Sequence, residues 1–176
     1  MRTLASGPGR RPRATAILIA IALSGCGNED LVMRPATGAV LPITEGPAIT
    51  NPCRTKPERV AGYFSPTPGQ IAAMEAGLAR AVNPLLRMDG ERFGRIEYHR
   101  QYMGLIRPDG RRSIYVSAFG SSVLEHRNAD PLPGQADTVQ WRTYFLDYCD
   151  GWKGFWGIEY DVETGEFSHF EHNGKA

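Results

Sequence analysis

Apolar residues recur at three- and four-residue steps between residues 68 and 85, which predicts an amphipathic helix. The apolar positions are Ile71, Met74, Leu78, Ala81, Val82 and Leu85. This spacing places them on one buried helix face. Thr67 and Gln70 have the spacing of a capping box at the start. We expect the helix over 68–82, ended by Pro84, because the residue before a proline is pushed out of the α region.

After Gly90 the pattern changes to the two-residue alternation typical of strands. The alternating segments are 96–106, 114–119, 139–145, 155–160 and 167–172. Two tight turns are predicted between them, at Pro108-Asp109-Gly110 and at Glu163-Thr164-Gly165. Alternation with short turns favours antiparallel pairing of successive strands.

The segment 120–137 is rich in Asp, Asn, Pro and Gly, which predicts a polar loop rather than a strand. A loop of this length in a small domain is either functional or mobile.

The element order predicts an α+β fold, with one N-terminal helix packed on a curved antiparallel meander sheet of four to five strands. Over about residues 65–172, this order resembles the cystatin-like helix-on-sheet folds. No cystatin inhibitory motif is visible, so the resemblance does not imply protease inhibition.

The first 25 residues have the composition of a signal sequence. They contain four arginines and no acidic residue, followed by an apolar run over 14–23 that is too short to span a bilayer. The run ends in Leu23-Ser24-Gly25-Cys26, which resembles the lipobox of bacterial lipoproteins. That resemblance implies cleavage before Cys26, a thioether-linked diacylglycerol on its sulfur, and a fatty acyl chain such as palmitate on its new amino group. An ordinary secretory signal that happens to contain a cysteine is the alternative.

The lipobox resemblance also predicts a location in the bacterial cell envelope. In lipoproteins an Asp after the cysteine favours the inner membrane, whereas Gly27 stands here. We therefore expect lipid anchoring to the outer membrane, facing the periplasm. The proline-rich segment 26–52 is predicted to be a flexible tether, and 53–176 a single folded domain. Val40, Leu41 and Ile43 are candidates to dock on the domain as an edge strand.

Removal of residues 1–25 changes the formal net charge from +1 to −3, because it takes away four arginines and no acid. Nucleic-acid binding needs a basic face, so we expect no nucleic-acid partner.

Two cysteines remain after Cys26, namely Cys53 and Cys149. In an oxidising periplasm an even pair is most simply a disulfide. The alternative is a nucleophilic Cys149 with a histidine base, although no base or oxyanion donor lies near it in the sequence.

A metal site is one interpretation of the acidic and histidine-rich C-terminal strand. His169 and His172 are three residues apart and therefore point to opposite faces of a strand, whereas His169 and Glu171 share a face that Glu159 could join. We expect no metal and no cofactor, because a solvated sheet edge is the simpler explanation of these residues.

Two other features could form a binding surface. The Gly-rich stretch 151–157 contains Trp152, Phe155 and Trp156, which serve either as stacking platforms or as core residues of a hairpin. Trp152 is the one expected to be exposed. Arginines gather around the first hairpin, with Arg111 and Arg112 at its turn, and nearby acids dilute them. The residues of this cluster are Arg87, Arg92, Arg95, Arg100, Arg107, Arg111 and Arg112.

No catalytic arrangement stands out, so the first hypothesis is a non-enzymatic envelope lipoprotein that binds another envelope protein or peptidoglycan. The C-terminal stretch 150–174 also resembles small proteobacterial envelope proteins without a known function, which supports the fold and the location only. One alternative is a small cell-wall hydrolase using some of four carboxylates, namely Asp147, Asp150, Glu159 and Asp161. Another is an inhibitor of a hydrolase that inserts the loop 120–137 into its target.

Overall fold

An open mixed sheet of six strands forms the centre of the protein. The computed structural model describes residues 38–54, 57, 59–87, 97–129 and 140–174, with the side chains of all but 87 and 126–129. The strands are β1 Gly38–Val40, β2 Gly62–Phe64, β3 Tyr98–Ile106, β4 Arg112–Gly120, β5 Phe155–Asp161 and β6 Phe167–His172. The helices are α1 Gly46–Ile49, α2 Pro68–Arg87 and α3 Ser121–Ala129, with 3₁₀ turns at Ile43–Glu45 and Trp152–Gly154.

The predicted α+β class is confirmed, and β3, β4, β5 and β6 are successive antiparallel neighbours. The sheet is mixed because β1 runs parallel to β3, with Ala39 opposite Gln101. The short β2 pairs antiparallel with the other half of β3, with Gly62 opposite Ile106. Both predicted turns have the expected glycine at positive φ, Gly110 at 86° and Gly165 at 75°.

Helix α2 covers the first face of the sheet. Its buried residues pack on apolar side chains of β3, β4 and β5, and this core contains Met74, Leu78, Val82, Leu86, Tyr98, Tyr102, Ile114, Val116, Ala118, Trp156, Ile158 and Tyr160. The capping box is confirmed, since Thr67 N donates to Gln70 Oε1 (2.9 Å) and Gln70 N donates to Thr67 Oγ1 (3.3 Å). The expected end at Pro84 is wrong. The helix continues to Arg87, and the burial of Leu86 compensates for the missing proline N–H.

Two chain segments cover the second face, and we call them the covering layer: residues 41–54 and 140–151. They bury Leu41 and Ile49 against Met103, Leu105 and Tyr115 of the sheet. The predicted disulfide Cys53–Cys149 is present and joins the two segments. The predicted tether 26–52 therefore overlaps packed structure from Gly38 onward, where Val40 lies in an edge strand and Leu41 is buried.

The predicted strand over 139–145 is wrong. Residues 141–144 form turns, β4 pairs directly with β5, and Arg142, Thr143 and Tyr144 are exposed in succession. The side chain of Gln101 binds the backbone of this segment in place of a neighbouring strand. Its Nε2 donates to Trp141 O (2.5 Å) and Tyr144 O (2.6 Å), and its Oε1 accepts from Leu146 N (2.9 Å).

The predicted loop 120–137 begins with helix α3, so the first half of that expectation is wrong. Val123 and Leu124 pack against the buried cluster of Phe119, Trp141 and Phe155. Apart from Gly120, the Pro and Gly residues that suggested a loop all follow residue 130, and positions 130–137 lie outside the described residues. Together with α1, this helix means that α2 is not the single helix expected.

Candidate functional site

Polar side chains gather on the second face, beneath the covering layer. We call five of them the arginine cluster, namely Arg54, Tyr115, Ser117, Asp147 and Asn173. Strand alternation aims Tyr115 and Ser117 at this face, and the other three come from the chain around the disulfide and the end of β6.

Arg54 is the centre of the arginine cluster, and only 1% of its side chain is exposed. Its Nε donates to Tyr115 Oη (2.8 Å) and its Nη2 to Ser117 Oγ (2.7 Å). Its Nη1 donates to Asp147 Oδ1 (3.2 Å) and to Asn173 Oδ1. Gly157 makes room for the guanidinium, because a Cβ there would lie 2.5 Å from Arg54 Nε.

Asp147 neutralises Arg54 and also holds the disulfide segment. Its Oδ2 accepts from Cys53 N (2.8 Å), while its Oδ1 accepts from Asn173 Nδ2 (2.6 Å) as well as from Arg54. Burial raises the pKa of Tyr115, and the charge of Arg54 partly opposes this rise. The phenol therefore stays protonated at neutral pH, where it accepts a hydrogen bond from Arg54 Nε.

Glu159 forms a second buried ion pair on the same face. Its Oε2 accepts from Arg107 and from Ser113 Oγ (3.1 Å), whereas its Oε1 has no hydrogen-bond partner. His169 Nδ1 lies 3.7 Å from that oxygen, at a β-bulge where His169 has φ 53°.

Neither a metal-binding group nor a catalytic triad is formed by these carboxylates and His169 in the contacts that follow. Among the described residues, no three His, Cys, Asp or Glu side chains are grouped as metal ligands. Ser168 Oγ (3.1 Å) and Glu159 Oε1 (3.7 Å) both meet Nδ1 of His169, whereas the nucleophile and the carboxylate of a catalytic triad meet different ring nitrogens.

The four carboxylates proposed for a hydrolase have separate structural roles. Asp147 and Glu159 pair with different arginines. Asp161 Oδ1 accepts from the backbone N–H of Glu163 and Thr164 in the β5–β6 turn, which lowers the pKa of this carboxyl. Asp150 is exposed.

The aromatic stretch is mainly core, as the simpler interpretation predicts. Phe155 and Trp156 are buried on opposite faces of the sheet and offer no exposed platform. Trp152 is half-buried at φ 41°. Lys153 is fully buried, and its Nζ donates to Leu86 O (3.0 Å) near the C-terminus of α2, where a cation is favourable.

The hairpin arginines are spread over different surfaces. Arg100 donates to Glu75 Oε1 (2.8 Å) beneath α2, and Arg107 is buried with Glu159. Arg111 and Arg112 are exposed at the β3–β4 turn, where Arg111 pairs with Asp109. They lie at the opposite end of β4 from the aromatic stretch, roughly 23 Å away along the strand. Arg92 and Arg95 lie outside the described residues.

The sequence patterns do not point to Arg54, Gln101, Asn173 or Lys153. One signal was available for the arginine cluster. Arg54 follows the first cysteine of the predicted disulfide, and Asp147 precedes the second by two residues, so a disulfide between them brings opposite charges together.

The surroundings of His99 predict how the stability of the fold depends on pH. Its ring lies 4.9 Å from the Trp141 ring, and its Nδ1 is buried without a hydrogen-bond partner. Burial is the main cause that lowers the pKa of His99 below 6.5, and the charges of Arg142 and Arg100 lower it further. Below about pH 6.5 the unfolded chain therefore binds more protons than the folded one. We expect stability to be full above that pH and to fall as the pH falls. Urea titrations at several pH values should show a weaker decline in His99→Phe, and an equal decline would contradict this account.

An open groove of about 280 Å³ separates α2 from the β5–β6 hairpin and is lined by Ala73, Ala76, Gly77, Arg80, Tyr160 and Phe167, among others.

None of the described helices is long and apolar enough to cross a membrane. Comparison with protein-family models, with curated proteins and with solved structures finds no match.

Proposed function

We propose that this protein is an envelope lipoprotein with a non-enzymatic binding or structural role, anchored through lipid on Cys26. The disulfide carries this proposal. It uses Cys53 and Cys149, which leaves the lipobox residue Cys26 as the remaining cysteine of the chain. A disulfide also suits the oxidising periplasm to which a lipoprotein signal directs a protein.

The non-enzymatic role is supported by the state of the polar groups. The buried carboxylates Asp147 and Glu159 lie on the second face of the sheet, and each is neutralised by an arginine. The exposed side chains of Arg112 and of Arg111, which also pairs with Asp109, are the proposed surface for an acidic partner, such as another envelope protein or the carboxylates of peptidoglycan.

The outer membrane, facing the periplasm, is the proposed location because Gly27 follows the lipobox cysteine. We also retain the cystatin-like description of the fold as part of the proposal. It is supported by α2 lying across the antiparallel β3–β6 meander.

Metabolic labelling with radioactive palmitate tests the anchor. We expect the wild-type protein to carry label and Cys26→Ser to carry none, because the acyl chains are attached at residue 26. The matched control is Cys53→Ser/Cys149→Ser, which keeps Cys26 as its one cysteine and should stay labelled. Label that persists in Cys26→Ser would refute lipidation at this position.

A further inference from the structure

The open groove between α2 and the β5–β6 hairpin, which we call the hairpin groove, has walls that let a ligand backbone approach closely. Its helix wall consists of small residues, namely Ala73, Ala76, Gly77 and Ala81. Its other wall contains the rings of Tyr160 and Phe167, whose centres are 5.0 Å apart. A Cβ on Gly77 would lie 2.9 Å from Phe167 Cε2, so the helix and the hairpin already touch at this point.

One polar side chain of the hairpin groove is buried without a hydrogen-bond partner. Tyr160 is 9% exposed and lines the groove, and its hydroxyl forms no hydrogen bond within the part of the chain that the structure describes. A Cβ on Gly165 would lie 3.7 Å from Tyr160 Oη, so the hydroxyl reaches the β5–β6 turn at one end of the groove. A hydroxyl removed from water without a partner costs free energy. It therefore favours a ligand with an acceptor oxygen over an acyl chain, which has none.

The hairpin groove carries a positive charge. Arg80 is the charged residue among those that line it, is exposed, and forms no ion pair with the residues that the structure describes. Ala73 and Arg80 lie about 10 Å apart along the helix axis, which is the length of about three residues of extended peptide. The volume of about 280 Å³ is small for a ligand pocket. The groove therefore fits a short peptide with small side chains and a carboxylate.

Arg112 adds a second positive charge beside the hairpin groove. Ile114 of β4 lies opposite Tyr160, and Arg112 is two residues before Ile114, so strand alternation places Arg112 on the same face of the sheet as Tyr160. Val162 N donates to Arg112 O (3.1 Å), which holds this end of β4 beside the β5–β6 turn. The groove thus lies next to the arginine surface proposed above, and a partner with several carboxylates can contact both.

We propose that the hairpin groove binds the short peptides of peptidoglycan, with Arg80 pairing with a carboxylate and Tyr160 Oη donating to a backbone carbonyl. A protein chain ends in a single terminal carboxylate, whereas peptidoglycan presents peptides with small side chains and free carboxylates at many points. Arg112 then meets carboxylates of the same polymer. This inference rests on the proposed function, because it commits the partner of the envelope protein to peptidoglycan and adds a binding site to the exposed arginines.

A ligand-observed NMR titration of the full chain in detergent tests the groove, with N-acetyl-trialanine and its C-terminal amide as probes. We expect the free acid to bind about tenfold more weakly to Arg80→Gln and about fivefold more weakly to Tyr160→Phe, because each variant loses one hydrogen-bond donor to the peptide. Ala76→Phe fills the groove from an exposed position and should abolish binding. Arg59→Gln is the matched control, since it removes an exposed arginine that does not line the groove, and should bind like the wild type.

Each other outcome of the titration overturns the inference. Equal binding of the acid and the amide means that no carboxylate is recognised. Unchanged binding in both Arg80→Gln and Ala76→Phe places the peptide outside the groove, and no binding of the acid to the wild type leaves the groove without this ligand.

Sedimentation with purified peptidoglycan tests the source of the peptide. We expect the wild type to sediment with the polymer and Arg80→Gln to do so several-fold less. Peptide binding without sedimentation would refute peptidoglycan as the partner. The palmitate label on Cys26 depends on neither result, so failure of the groove and failure of the lipid anchor are read from separate measurements.

Discussion

Asp147→Asn is expected to lower the free energy of unfolding by about 3–5 kcal/mol, because it leaves the buried guanidinium of Arg54 without a counter-charge. An amide also has one acceptor oxygen instead of two. If this oxygen faces Arg54 and Asn173, the new NH₂ group faces the N–H of Cys53, which is also a donor. Either orientation leaves buried donors facing each other. Urea titration of the purified domain measures the loss.

Asp150→Asn is the matched control, since it removes the same charge from an exposed position three residues away. Surface changes of this kind normally alter stability by less than about 0.5 kcal/mol. Combining Arg54→Met with Asp147→Asn should be less harmful than the sum of the single variants, because each exchange removes the partner that the other leaves unpaired. Additive effects would contradict the ion pair as the source of stability.

The sequence predicts correctly those elements that depend on interactions between residues close together in the chain. The stripe from Ile71 to Val82, the capping box at Thr67 and the glycine turn at Gly110 all rest on interactions within a few residues. The disulfide is predictable as well, since the lipobox resemblance sets Cys26 apart and leaves an even pair of cysteines.

The errors arise where distant parts of the chain decide the structure. Residues 141–145 alternate like a strand, yet β4 is already paired with β3 and β5, so no edge beside it is free. The side chain of Gln101, some 40 residues earlier, holds that segment as a turn. Helix α3 similarly depends on Val123 and Leu124 packing against the cluster of Phe119 and Phe155.

The candidate site shows the same division. Arg111 and Arg112 lie at a predicted turn and are exposed, as local reasoning indicates. Arg107 belongs to the same stretch of sequence but is buried, because Glu159 faces it from β5. Whether an arginine is exposed therefore depends on the register between strands, and counting charges along the sequence does not reveal that register.

Cys53→Ser/Cys149→Ser is expected to lower the free energy of unfolding by about 3–5 kcal/mol, because the bond closes a loop of 96 residues in the unfolded chain. The loss should concentrate in the covering layer. Its apolar cluster around Leu41 and Ile49 is smaller than the core beneath α2, and Arg54 and Asp147 meet beside the two cysteines. Hydrogen exchange should therefore rise in 46–54 and 141–149 before it rises in β3, β4 and β5.

Reduction of the wild-type protein is the control for this variant and should give the same exchange pattern, because both treatments remove only the covalent link. A uniform rise of exchange over the covering layer, the sheet and α2 would contradict this expectation. It would mean that these parts unfold as one cooperative unit. Under the expected result, the helix and sheet stay folded without the disulfide, while the covering layer becomes stable only once the disulfide has formed. Assembly of the covering layer would then require conditions in which the disulfide can form.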